Sequence, residues 1–321
     1  MPDVISIGGK LIAWQEISER SKGRKPEGLE RGFADMVKSN LDVNFPLIFN
    51  ATNTHPHPNL LPVLTYIPDG YNPINKSGDV LKWTSFRPET DYKRDAVLCY
   101  PFIKAPTLKS YLDSNTPIGL SEEELVQYFS NLCLGCHHLH RNRLVHRDAN
   151  PSNVLVKFPD NTELLSEDPS DLKFEAVNYH IKYGPQNIPQ GAIPDNLILI
   201  DHELVGRMGH ADEIWNAATG TPGFQSPDQI QHTKPPKATS DIFSLGIIFA
   251  QMYFNEFCER PLPEMNTRRP ITYELARQLQ TVPFLKPRVT EVLVNATAFE
   301  QNNRYQDIPT FINDLQGAFV I

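Results

Sequence analysis

A stretch of twelve residues limits what this chain can fold into more than any other part of it. Val145-His146-Arg147-Asp148-Ala149-Asn150-Pro151-Ser152-Asn153-Val154-Leu155-Val156 sets a carboxylate and an amide in one short loop. The segment before it, SEEELVQYFSNLCLGCHHLH, has apolar residues at Leu125, Phe129, Leu132, Cys136 and Leu139. That is helical spacing, and Ser121 with Glu124 forms a capping box at its start. The segment after it, Val154-Leu155-Val156, reads as a buried strand. The loop is therefore held between a long helix and a strand, and rigid flanks of that kind support chemistry.

The rest of the chain follows a simple order. Val4–Ile7 and Leu11–Trp14 flank Gly8-Gly9-Lys10, which predicts a strand pair around a short turn. SERSKGRK reads as a loop, and Pro26 opens a predicted helix through Leu41. Residues 52–95 are rich in Pro, Asn and Asp. Residues 95–100 and 197–200 are short buried strands by composition. Beyond Pro227 most segments have helical period. Strands come first and helices later, which predicts an α+β fold with a small sheet-rich lobe and a larger helical lobe.

The loop resembles the catalytic loop of protein kinases, H-R-D-x-x-x-x-N. A carboxylate there orients or accepts the proton of the attacking hydroxyl, and an amide oxygen holds a metal that bridges nucleotide phosphates. Three more segments fall in that family's order. Leu199-Ile200-Asp201-His202-Glu203 stands in place of Asp-Phe-Gly. Gly220-Thr221-Pro222-Gly223-Phe224-Gln225-Ser226-Pro227-Asp228 is similar to the end of an activation segment. Ser240-Asp241-Ile242-Phe243-Ser244-Leu245-Gly246 resembles the start of a buried central helix. HPHPNLLPVL and AVLCYPFIKAPTLKSYL resemble the segments that lead to and through the hinge.

The resemblance implies a bilobal protein kinase-like fold. Residues 1–103 form a divergent small lobe and 104–321 a large lobe, with an insert at 157–196 and an activation segment at 201–228. It implies Asp148 as the base, with Arg147, Asn150 and Thr221 beside it. It implies Asn153 and Asp201 as ligands for Mg²⁺ or Mn²⁺. ATP is implied at Ala13, Gln15, Glu30 and the hinge residues Tyr100 and Phe102. Asp241 is implied to brace the loop, and Arg304 to pair with Asp228.

The departures from the family concern nucleotide handling. No G-x-G-x-x-G loop is present, only Gly8-Gly9. In one register Gln15 stands where the family has the phosphate-contacting lysine; in the other, no A-x-K follows Gly8-Gly9 at all. Glu30 or Glu27 is the candidate helix partner for that missing lysine. Asn150 stands where serine/threonine kinases usually carry lysine. Glu203 replaces a glycine and either turns outward or adds a charge beside the metal site. Ala217 lies where such segments are often phosphorylated, which leaves Arg147 without a phosphate partner. Losing one preorganised charge contact costs about 10²–10³ in rate, which weakens an enzyme without abolishing it.

Composition narrows the remaining options. With 30 Lys+Arg against 38 Asp+Glu the net charge is −8, which argues against a protein that coats nucleic acid. No apolar run is long enough to span a membrane. Four cysteines form no disulfide framework, and no charged start followed by an apolar stretch opens the chain; the expected compartment is the cytoplasm. Cys133-Leu134-Gly135-Cys136-His137 matches the c-type haem pattern, but the helical spacing reads it as a packed helix face. Prolines are in surplus at 28, and many cluster in 56–107 and in the acidic insert. Three functions are expected from these residues. The first is a Ser/Thr protein kinase-like phosphotransferase on a protein substrate. The second is a pseudokinase that binds a partner as a scaffold or allosteric module. The third is a small-molecule kinase, against which the Gly220–Asp228 segment argues because it shapes a peptide-docking ledge. An insert of the length of 157–196 is often functional, and docking of a partner is the expectation weighed for it against an inert loop.

Overall fold

The computed structural model describes residues 3–7, 10–17, 33–63, 65–67, 96–101, 103, 105–113, 117, 119–157, 196–216, 220–232, 234–257 and 286–319. Glu27, Glu30, Phe102, Ala217, Thr219, the Gly8-Gly9 turn and residues 158–195 of the insert lie outside them.

The first strands follow from two runs rich in β-branched and aromatic residues. β1 (Asp3–Ile7) and β2 (Lys10–Ile17) pair antiparallel, from Ile7↔Lys10 to Asp3↔Trp14. With β3 (Thr65–Ile67) and β4 (Ala96–Pro101) they form a four-stranded sheet in the order β1-β2-β4-β3. The β2–β4 register sets Ala13 opposite Tyr100 and Gln15 opposite Leu98.

Residues 26–32 of the helix predicted over 26–41 lie outside the described residues, and its described part lies in α1 (Phe33–Asn53), which continues well past Leu41. Its buried stripe runs through Met36, Val37, Leu41, Ile48 and Ala51, so the apolar period continues past Leu41. Pro46 lies inside the helix on its exposed side, where solvent can replace the helix bond the ring removes.

The helical part begins with α2 (Leu108–Asp113) and α3 (Glu122–Arg141). The capping box at the start of α3 is formed: Glu124 N–H donates to Ser121 Oγ at 3.2 Å, and Ser121 N–H donates to Glu124 Oε2 at 2.8 Å. Cys133 and Cys136 are fully buried on this helix, as its spacing predicts. A short strand, β5 (Leu144–Val145), leads into the His146–Asn153 loop. β6 (Val154–Lys157) and β7 (Asn196–Leu199) then pair antiparallel. β8 (Gly206–Arg207) pairs with β5. Two short helices follow, α4 (Glu213–Asn216) and α5 (Pro227–Gln231). α6 (Ala238–Phe257) is buried on all sides along most of its length, as its sequence predicts. α7 (Pro287–Ala296) and α8 (Ile308–Phe319) complete the described elements.

One continuous core joins these parts. It extends from Met36, Leu41 and Ile48 through Leu60 and Leu199 to Phe129, Phe249 and Phe311. The Phe129 ring lies 4.9 Å from Phe249 and 6.0 Å from Phe311. Each such burial contributes about 1.5–3 kcal/mol. Asn59 fixes the loop after α1 to β7. Its backbone carbonyl accepts from Leu199 N–H at 2.9 Å, and its Nδ2 donates to the Leu197 carbonyl at 2.8 Å. Among the described residues, no helix is long and apolar enough to cross a membrane.

Candidate active site

The loop after β5 is built around the Asp148 carboxylate, whose residue is only 5% exposed. Its Oδ1 accepts from Thr221 N–H at 2.8 Å and from Thr221 Oγ1 at 2.7 Å. The Asn150 side chain adds a donor to the same oxygen at 3.1 Å and donates to Thr221 Oγ1 at 2.9 Å. Asn153 Nδ2 donates to Asp148 Oδ2 at 3.1 Å and to the Asp148 carbonyl at 2.9 Å. Asp148, Asn150, Asn153 and Thr221 therefore form one bonded group.

Local sequence explains the shape of the loop. Asn150 caps a 3-10 turn over Pro151–Asn153: its Oδ1 accepts from Ser152 N–H at 2.9 Å, and Pro151 takes the first turn position. Arg147 has left-handed backbone, φ 67°, which turns Asp148 back toward Thr221.

Asp241 at the start of α6 holds this turn from below. Its Oδ2 accepts from His146 N–H and its Oδ1 from Arg147 N–H, both at 2.8 Å. His140 Nε2 lies 2.8 Å from Asp241 Oδ2, and Cys136 Sγ lies 3.6 Å from both groups. Burial pushes the Asp241 carboxyl up. The hydrogen bond and charge of His140, with the charge and backbone N–H of His146, outweigh it, so Asp241 stays below its ordinary value. Burial also raises the Cys136 thiol, and the Asp241 charge adds to that.

Asp201 follows β7 at the same end of the β6–β7 pair as Asn153. Ile200 N–H donates to the Asn153 carbonyl at 2.9 Å, one residue before Asp201. Asp201 itself has left-handed backbone, φ 66°. His202 is fully buried, its ring 5.8 Å from Tyr100 and 5.9 Å from His146. Burial and the His146 charge push the His202 imidazole down to about 3, against the pull of Asp201, so it is neutral. Glu203 is 1% exposed, which removes the outward alternative.

The remaining predicted residues are placed unequally. The Tyr100 hydroxyl accepts from His202 N–H at 3.2 Å, so its side chain reaches the Asp201 segment. Ala13 lies opposite it on β2, and Gln15 lies two residues further along that strand. The Arg304–Asp228 pair is present at 2.6 Å.

Sequence reasoning missed the partner of Arg147. Its Nη1 donates to Asp212 Oδ1 at 2.7 Å. Burial pushes the guanidinium down from its ordinary value, and Asp212 opposes that. An acid just before a short helix was the available signal, since Asp212 also accepts from Trp215 N–H at 3.0 Å. Asn40 was missed as well: its Nδ2 donates to the Glu203 and Val205 carbonyls, both at 3.0 Å, tying α1 to this segment.

Comparison with known proteins agrees with this geometry. The protein kinase domain family model matches residues 79–305. The serine/threonine-protein kinase PknD of Chlamydia caviae is 25% identical over 67% of this chain, and the match covers 22% of PknD. A probable protein kinase of Dictyostelium discoideum is 25% identical over 56% of the chain and 22% of its own length. The inactive serine/threonine-protein kinase PLK5 of Mus musculus is 28% identical over 46% of the chain and 19% of its length. The chain spans about a fifth of the length of these relatives. The match over residues 79–305, which includes the Asp148 loop, makes this chain a member of the protein kinase domain family.

Proposed function

We propose that this chain transfers the γ-phosphate of ATP to a Ser or Thr hydroxyl of a protein substrate. The observation that carries the reading is the Asp148 group, in which Thr221, Asn150 and Asn153 hold both carboxylate oxygens. Asp148 orients the hydroxyl and takes its proton. Thr221 and Asn150 fix the direction of the carboxylate. Asn153 spends its Nδ2 on the loop, and among the described residues no donor reaches its Oδ1. Asn153 and Asp201 supply hard oxygen donors, which fit Mg²⁺ or Mn²⁺. When bound, that ion neutralises charge developing on the phosphates. Nucleotide lies between the two lobes, which meet near residue 103, against β2 and the strand that carries Tyr100.

A second reading has its own observation. Among the described side chains, the buried face of α1 carries Met36, Asn40, Leu41, Asn44 and Ile48 and no acid, and in one register Gln15 stands at the lysine position on β2. That favours a scaffold that binds a partner with little turnover.

One assay separates the readings. Protein is incubated with Mg- or Mn-ATP and a pool of Ser/Thr peptides, beside an Asp148→Asn variant. The phosphotransferase reading expects incorporation that the variant loses. Equal incorporation by both, or none by either, favours the scaffold.

A further inference from the structure

Asp201 has a left-handed backbone without being glycine. That conformation costs about 1–2 kcal/mol, so surrounding bonds must impose it. The residues on both sides of Asp201 are held at N–H and carbonyl alike. Ile200 N–H donates to the Asn153 carbonyl at 2.9 Å, and the Ile200 carbonyl faces His146 Nε2 at 3.2 Å. His202 N–H donates to the Tyr100 hydroxyl at 3.2 Å, and the His202 carbonyl accepts from Val205 N–H at 3.1 Å.

Of these four partners only Tyr100 comes from the four-stranded sheet. The others belong to the catalytic loop or to the Asp201 segment itself. Tyr100 is 4% exposed, so water competes poorly for its hydroxyl. Phenylalanine would fill the same volume and keep the ring against His202. The hydroxyl is the one atom that packing alone does not explain.

We propose that Tyr100 is a positioning residue for Asp201. Its hydroxyl fixes the His202 peptide and so holds the Asp201 carboxylate in the direction from which it serves the metal. The sheet thereby sets the geometry of a ligand in the helical part. The proposal rests on the reading of Asp201 as a metal ligand.

The test is Tyr100→Phe, with Tyr305→Phe as a remote control that removes a hydroxyl bonded to Asp314. Amide exchange over residues 200–205 is measured without ligand. Mg²⁺ is then titrated in the presence of ATP, and ATP is titrated without metal. The expected result for Tyr100→Phe is faster exchange at His202. Apparent Mg²⁺ affinity falls roughly three- to tenfold, the worth of one neutral hydrogen bond. Metal-free ATP affinity falls by a clearly smaller factor, since the ring on the nucleotide side is kept, and the control moves none of these. Unchanged exchange, or unchanged Mg²⁺ affinity, overturns the proposal. Equal losses with and without metal also overturn it, since they report a general loosening. If the unsubstituted protein binds ATP with no response to Mg²⁺ or Mn²⁺, the reading of Asp201 as a ligand fails. The proposal then falls with it, whatever the exchange shows.

Discussion

Arg147 and Asp212 form an ion pair at 2.7 Å in which the arginine side chain is wholly buried and the aspartate 19% exposed. The pair joins the His146–Asn153 loop to the segment that leads to Thr221. A carboxylate of the chain itself thus holds the guanidinium that the sequence left without a phosphate. Gly206 packs directly on the guanidinium, and a Cβ there would clash with Nη2 and Cζ. Arg147 is therefore enclosed by Asp212 on one side and β8 on the other.

Removing the carboxylate should be costly because the cation stays buried. Breaking a buried pair by losing one partner costs about 3–5 kcal/mol. Partial exposure of Asp212 places Asp212→Ala near the lower end, about 2–3 kcal/mol. Asp212→Asn keeps one acceptor oxygen and should lose about half of that. Urea unfolding of the three proteins tests the order. Equal stability of Asp212→Ala and the parent would show that the pair contributes nothing.

Gly135 offers a test in which two effects oppose each other. It lies inside α3, where alanine is favoured over glycine by about 1 kcal/mol. A Cβ there, however, would clash with the Asn59 backbone carbonyl group. Backbone cannot swing away as a side-chain tip can. Overpacking typically costs about 1–3 kcal/mol, so Gly135→Ala should be a net destabilisation of about 1 kcal/mol or more. A rise in melting temperature would mean that the loop at Asn59 yields.

Asp241 should make the fold acid-sensitive. Its carboxyl lies below the ordinary 3.8 in the folded protein. A depressed carboxylate contributes stability above its unfolded value and loses it as pH falls through the folded value. That contribution is therefore complete at neutral pH and declines below about pH 4. Asp241→Asn should be less stable at pH 7, because two backbone N–H groups and His140 lose an ionised acceptor. Its stability curve should also be flatter at pH 2–4. Parallel curves for parent and variant over that range would contradict the assignment.

How much of this was legible depended on distance along the chain. His146 to Asn153 could be read because helix, loop and strand are contiguous and each has its own period. The capping box of α3 was legible for the same reason. The end of α1 was not legible because the stripe past Leu41 is interrupted by Asn44 and Pro46. Arg147–Asp212 spans 65 positions, and Tyr100–His202 spans 102. No local pattern marks either pair; only the fold brings them together. Glu203 was ambiguous because a charged residue in a loop usually faces solvent, and here the close approach of α1 buries it.

Asn150 provides the most direct probe of the proposed base. It is 1% exposed, and its amide donates to Asp148 Oδ1 and Thr221 Oγ1. Asn150→Ala removes both bonds and the cap on Ser152. Losing a hydrogen bond to a charged group costs about 1.5–3 kcal/mol, which corresponds to roughly 10–100-fold in rate. The expected change is in kcat, with the KM for ATP little altered, because Asn150 acts on Asp148 and not on the nucleotide. Asn150→Asp is more diagnostic. It places a second carboxyl within hydrogen-bond reach of Asp148, and two such groups share one proton, so the second deprotonation shifts to higher pH. If ionised Asp148 is the base, the kcat of Asn150→Asp should climb as pH rises through that raised value. A variant whose pH profile matches the parent would show that Asp148 does not act as the base.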